Sequence, residues 1–225
     1  MLGVDAMGVR VLARSTTTTL ATLEDRLKAV LGAPSLQKSK TRWKRQCVYH
    51  LPRSAESGLR ELFVLQSSES AIGEQYIVSS SERSGVRVLR AGPEISTVIE
   101  ATNTHTQRLK VTIEGVAHPC GDFVVRLGQL FLNGSLAGVA VEAEYLPCAL
   151  ASAAGPCAPL HAFLDLLLPE EEGSTSYYSS AKTECFSGVT GLPAAFSEEH
   201  GALLLVGLMR EKLLPTAFAG KRRRE

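Results

Sequence analysis

Apolar and polar positions alternate with a period of two through much of the middle of this chain, most clearly from Gly121 to Tyr145, GDFVVRLGQLFLNGSLAGVAVEAEY. Phe123, Val125 and Leu127 fall on one face of the first arm, and Asp122, Val124 and Arg126 on the other. The second arm sets Val139, Val141, Ala143 and Tyr145 against Ala140, Glu142 and Glu144. Two alternating arms predict one long β-hairpin in a sheet with a buried face. Directly opposed side chains share a face, so Arg126 should lie opposite Glu142 and Leu127 opposite Val141. A three-residue loop, Asn133-Gly134-Ser135, gives that register, whereas a two-residue turn would set Val125 opposite Glu142.

Other elements follow from the same reading. Val9 to Arg14 is an opening strand, and Met1 to Ala6 is a loose extension before it. Leu20, Leu23, Leu27, Val30 and Leu31 recur at helical spacing after a Ser/Thr run that offers N-caps, and Gly32 and Pro34 stop the helix. Cys47–Leu51, Leu59–Leu65, Gln75–Ser79 and Val86–Leu89 read as strands, and Leu109, Val111 and Ile113 mark another that leads into the hairpin. Glu94 to Thr102 fits a short helix or a strand. Leu160, Phe163, Leu164 and Leu167 form a helical stripe ended by Pro169.

From Glu170 to Pro193 the chain is rich in Ser, Thr, Gly and Glu without sustained periodicity, which predicts a flexible loop. Ser197 starts a last helix to about Leu214, and from Ala202 to Met209 every residue is apolar or Gly. A docked helix usually hides one stripe, so Leu203, Leu204, Val206 and Leu208 are candidate partner-binding residues. Short meandering strands with a few helices predict an α+β fold: a curved antiparallel β-barrel flanked by amphipathic helices, spanning 1–225 as a single domain.

Composition narrows the functional classes. With 24 Lys and Arg against 23 Asp and Glu, the chain has no overall field to gather nucleic acid or an anionic membrane. Cys47, Cys120, Cys148, Cys157 and Cys185 are odd in number and widely spaced, which suits reduced thiols. The N-terminus lacks a signal-peptide apolar core, and the run from Ala202 to Met209 is far shorter than the roughly 20 residues of a membrane helix. A soluble intracellular protein is expected.

Few residues suggest chemistry. Glu142 and Glu144 project from one strand face, and an E-x-E pair lining a tunnel would suit a divalent cation, as in barrel enzymes that hydrolyse triphosphates. That motif continues to a lysine two positions on, where this chain has Leu146, and the sequence displays no dense set of basic residues on other strands. The competing reading is a solvated outer face with Arg126 and Glu142 as a cross-strand pair. Lys38 to Arg45, KSKTRWKR, offers a small nucleic-acid patch in which Trp43 stacks on a base, or a loop anchored by Trp43. His50, His105, His118, His161 and His200 lack the spacing of a metal site and read as surface or cap residues. Cys157 and His161, at i and i+4 on a predicted helix, are a candidate thiol–imidazole pair set within an apolar stripe. Lys221 to Arg224 is a short basic run that reads by default as a frayed, soluble tail, with a nuclear import signal or a local phosphate contact as the alternatives.

Gly-Asp-Phe-Val-Val-Arg-Leu-Gly followed at fixed spacing by Val-Glu-Ala-Glu-Tyr and Pro147-Cys148 resembles subunit 20 of the Mediator complex, a TATA-binding-protein-related head-module subunit. Val9 to Arg14 with Thr19 to Glu24, and Glu61 to Leu65, resemble that family's opening strand and helix and its next core strand. The resemblance favours a helix at 94–102. It implies a nuclear, non-enzymatic coactivator subunit that bridges regulators and RNA polymerase II, with no cofactor, metal or catalytic residues. Subunit 18 would be its heterodimer partner, and a C-terminal helix of subunit 8 would tether the pair, with RNA polymerase II engaged indirectly. The alternative from another class is a metal-dependent triphosphate tunnel-type phosphohydrolase. Basic side chains converging on Glu142 and Glu144 would favour it, and an interior filled with apolar side chains would remove it.

Overall fold

A computed structural model describes residues 8–36, 42–54, 60–81, 85–148, 157–169, 178–179, 186, 189 and 192–219. The elements in chain order are β1 (Val9–Ser15), α1 (Leu20–Leu31), β2 (Arg42–Pro52), β3 (Leu62–Ser67), β4 (Gln75–Ser81), β5 (Gly85–Ala91) and α2 (Ile95–Thr102). They continue with β6 (His105–Cys120), β7 (Phe123–Leu132), β8 (Ser135–Tyr145), α3 (Ala158–Leu167), β9 (Tyr178–Ser179), α4 (Glu198–Leu208) and α5 (Leu214–Ala219). The strands form one antiparallel sheet in the order β5-β4-β3-β2-β6-β7-β8-β1-β9. The expected strands are all present, most of them longer than the sequence pattern marks, and 94–102 is helical.

The β7–β8 hairpin has the expected register, Arg126 opposite Glu142 and Leu127 opposite Val141. It is reached by a different route. Leu132 pairs with Ser135, so the turn is the two residues Asn133 and Gly134, both left-handed with φ 47° and 85°. Such a turn matches the strand twist. The odd residue is absorbed by a bulge between Leu130 and Phe131, beyond which the pairing shifts by one.

The sheet is strongly curled. α4 packs against both β1 and β4, which lie six strand steps apart in the sheet order. A flat sheet would separate them by about 29 Å, against a helix diameter of about 10–12 Å. The inner face therefore wraps the helix. Leu12, Phe63, Val78, Val111, Ile113 and Leu130 from the sheet enclose Leu204, Leu205, Leu208 and Met209, all buried. Trp43 lies in the same core beside Gly115 and Gly128, which face each other across β6 and β7. A Cβ on Gly128 would sit 3.0 Å from the indole, so glycine makes room for the ring.

The opposite face is apolar as well. Val11 and Ala13 of β1, Val125 and Leu127 of β7, and Val141 and Ala143 of β8 pack beneath α1 and α3, where Leu23, Leu27, Leu160, Phe163 and Leu164 are buried. Thr19 caps α1 by accepting from the Thr22 backbone N–H, and left-handed Gly32 ends it. α2 joins β5 at the sheet edge to β6 beyond β4, β3 and β2. Its Ser96 hydroxyl donates to the Gln75 side chain at 3.2 Å.

The α+β fold is the expected one, with α1 and α3 flanking the curved sheet, while α4 occupies its interior. Leu203, Leu204, Val206 and Leu208 are each at most 4% exposed, so the chain's own curled sheet covers the apolar girth expected to meet a partner. The predicted loop 170–193 also contains structure: β9 pairs with β1, Val189 bridges to Val86 of β5, and Phe186 and Leu192 pack on the interior core. Its remaining stretches, with Met1 to Ala6, Lys38 to Thr41, Cys185 and the 221–225 tail, lie outside the described residues.

The helical path continues past α4. Residues Met209–Leu213 form a wide turn in which the Leu214 N–H donates to the Met209 carbonyl, one residue further back than in an α-helix. Pro215 has no N–H and would clash with the carbonyl four residues earlier, and the wide turn relieves that conflict.

Candidate functional site: a buried charge cluster inside the sheet

At one end of the interior the inner face is charged. Strand alternation turns Arg10 of β1, Arg45 of β2, Arg126 of β7, and Glu142 and Glu144 of β8 inward. Glu69 enters from the β3–β4 loop, and Glu198 from the first turn of α4. Arg10 is the hub, with its guanidinium 3.0 Å from Glu198, 3.1 Å from Glu69, 3.2 Å from Glu144 and 3.4 Å from Glu142. Arg126 pairs with Glu69 and Glu144, each at 2.7 Å, and with Glu142 at 3.5 Å. Arg45 lies 3.4 Å from Glu142 and 3.6 Å from Glu198. The Gly8 N–H donates to Glu144 at 2.8 Å.

Burial opposes the charge on Arg10, but Glu142, Glu198, Glu144 and Glu69 together outweigh it and raise its pKa. Glu69 shows the reciprocal effect. Burial alone would raise its pKa, and Arg126, Arg10 and Arg45 bring it below the ordinary value. Arg10 and Glu69 therefore stay charged in the fold. Beside it, Arg45, Ser67, Tyr76, Glu198 and Ala202 line a cavity of about 10 Å³. That is room for at most one water.

This geometry corrects the solvated-face reading of the E-x-E pair, since Glu142 is fully buried and Glu144 is 4% exposed. Alternation separates two faces, but only curvature decides which of them is enclosed. It also corrects the apparent lack of basic residues, because arginines from three strands converge on the pair. Arg10 lay within the opening strand pattern and Arg45 within the basic window, and neither position signals a shared site. The interior combines both features: cationic groups converge on the pair, and an apolar helix fills the rest.

Other candidates disperse. Trp43 is 1% exposed, so it cannot stack on a base, and the described part of its basic window is strand β2. His200 completes a capping box with Ser197, its Nδ1 2.9 Å from the Ser197 hydroxyl, and stacks on Phe196. His118 is buried in β6 instead of lying at the surface, and His105 contacts the Arg60 carbonyl at 2.9 Å. Cys157 caps α3, with its carbonyl accepting the His161 N–H at 3.2 Å. Leu146, in place of the triphosphatase lysine, is 45% exposed. Among the described residues no group of three or more His, Cys, Asp or Glu is placed to hold a metal ion. No described helix is long and apolar enough to cross a membrane.

Fold and site together define an α+β protein: a curled antiparallel sheet whose carboxylates are paired with its own arginines and whose interior holds its own helix. Residues 7–183 match the family model of the TATA-binding related factor (TRF) of subunit 20 of Mediator complex, and the chain belongs to that family. A comparison with curated proteins finds no match.

Solved structures with related folds include a protein from Pyrococcus horikoshii OT3, 14% identical over 74% of this chain and 93% of that one, with a TM-score of 0.44. The Schizosaccharomyces pombe Mediator head module matches at 16% identity over 70% and 91%, with a TM-score of 0.35. A putative adenylyl cyclase from Hippeastrum, described as having a dominant triphosphatase activity, matches at 10% identity over 61% and 79%, also with a TM-score of 0.35. At these identities and scores, none of them bears on function.

Proposed function

We propose that this Mediator subunit is a non-enzymatic, architectural component of the head module, working in the nucleus to bridge regulators and RNA polymerase II. Family membership supports the assembly. The observation that carries the non-enzymatic reading is the occupancy of Glu142 and Glu144 by Arg10, Arg45 and Arg126, with α4 behind them. Carboxylates already compensated by three guanidiniums, with an apolar helix filling the interior behind them, have no place for a triphosphate and its metal. The chain acts as one domain over 1–225. Its proposed partners are subunit 18 as a heterodimer and the C-terminal helix of subunit 8, with RNA polymerase II engaged through the assembly, and it binds neither membrane nor nucleic acid directly. Because α4 is covered within the chain, a partner meets surfaces other than Leu203, Leu204, Val206 and Leu208.

The test is to tag the chain, recover it from nuclear extract and identify what travels with it by mass spectrometry. Mediator subunits 18 and 8 in stoichiometric amounts are expected. Recovery without any Mediator subunit would overturn the assignment.

A further inference from the structure

α4 raises a problem of specificity. Between Ala202 and Met209 it has no polar side chain, and seven of those eight residues are buried. A helix apolar around its girth gains nearly as much from a seat rotated by one residue or shifted by one turn, since burial free energy has no direction. Its charged contacts are confined to its ends. At the N-terminal end Glu198 reaches Arg10 and Arg45, while Glu199 bonds Arg90 of edge strand β5. At the other end Arg210 reaches Glu61 at 2.6 Å and lies 5.0 Å over the Phe63 ring.

On the sheet side of the cluster, three arginines face three glutamates, Glu69, Glu142 and Glu144, so that set is balanced without the helix. Glu198 is the one carboxylate the helix adds, and it lies in the first turn, where the helix dipole favours a negative charge. We propose that these end contacts are a register key: Glu198 in the Arg10–Arg45 notch and Arg210 on Glu61 select one seat for α4, while the apolar girth supplies the burial. Shifting the helix by one turn would carry Glu198 about 5.4 Å from the arginines and leave it unpaired. Selecting among near-equal packings is the best-attested use of buried ionic groups.

Met209 makes this measurable, because the chain has three methionines and Met209, the one among the described residues, is buried in the core. The full chain is labelled at the methionine methyl groups, and three forms are compared by NMR: wild type, Glu198→Leu with Arg210→Leu, and Leu204→Ala. Wild type is expected to give one buried Met209 signal. The double variant is expected to keep its helical circular dichroism and split Met209 into two or more signals. Leu204→Ala is expected to lower the unfolding midpoint while keeping one signal. If the double variant does not fold, Glu198→Gln takes its place, with an exchange-broadened or doubled Met209 signal expected. A single sharp Met209 signal at the wild-type position in the variant that folds would overturn the proposal, as would splitting of equal size in Leu204→Ala.

Discussion

The carboxylate of Glu198 meets the guanidinium of Arg10 at 3.0 Å, joining residues 188 positions apart in the chain. The first strand and the last long helix are thereby held by one hub that also binds Glu69, Glu142 and Glu144. Removing the hub leaves four carboxylates to share two arginines, Arg45 and Arg126. Arg10→Leu is expected to lower the unfolding free energy by ~3–5 kcal/mol, the usual cost of breaking a buried pair from one side. Arg10→Lys should restore little, since one ammonium cannot reach four carboxylates. Urea unfolding measures both, and a loss for Arg10→Leu no larger than the ~1 kcal/mol of an exposed pair would contradict the account.

Gly115 and Gly128 sit where two strands and the Trp43 ring converge. A Cβ on Gly115 would collide with the Leu127 carbonyl oxygen, a backbone atom that cannot step aside. Gly115→Ala is therefore expected to destabilise by at least ~1–3 kcal/mol, the range for overpacked cores. Trp43 is the sole tryptophan, so its emission should shift to longer wavelength as the packing loosens. An alanine variant with unchanged midpoint and emission would show that the strands separate freely.

Acid should weaken the fold in two stages. Burial lowers the His200 and His50 pKa values below the ordinary 6.5, with the nearby His105 charge adding to the effect at His50. Below about pH 6.5 the unfolded chain takes up these protons more readily than the folded one, so stability falls as pH drops. Glu69 is depressed below 4.5 in the fold, so its contribution is complete above that value and is lost as pH falls through the lower folded pKa. Urea midpoints from pH 7 to 3.5 should decline in both windows. His200→Gln should flatten the first, and a flat profile between pH 7 and 5 in the wild type would refute the histidine part.

The E-x-E pair gives an enzymatic test. With magnesium or manganese and a nucleoside triphosphate, phosphate release by the purified chain is expected to stay at background, because arginine guanidiniums occupy the oxygens a metal would need. Metal-dependent release abolished by Glu142→Gln would overturn this and revive the phosphohydrolase reading.

The sequence by itself determined the elements and their local registers. Alternation on two arms required Arg126 opposite Glu142, and that pairing is present although the turn has two residues and a bulge absorbs the third. Helical spacing located α1 and α3 and their buried stripes, because period and caps are short-range properties of the chain. The family signature between Gly121 and Cys148 was likewise legible, since it is a contiguous pattern.

Only the tertiary structure decided which face of the sheet closes. Val141 and Glu142 are neighbours that alternation separates, and both are buried: Val141 under α1 and α3, and Glu142 facing arginines inside the curl. The convergence of Arg10, Arg45, Arg126, Glu69 and Glu198 depends on sheet order and curvature, which join positions far apart in sequence and leave no local spacing to read. The same holds for α4. Its uniform apolarity showed that it needed cover on more than one side, but whether a partner or the chain's own sheet supplied that cover was a matter of how far the strands curl. Here they curl far enough to bring β1 and β4 onto one helix.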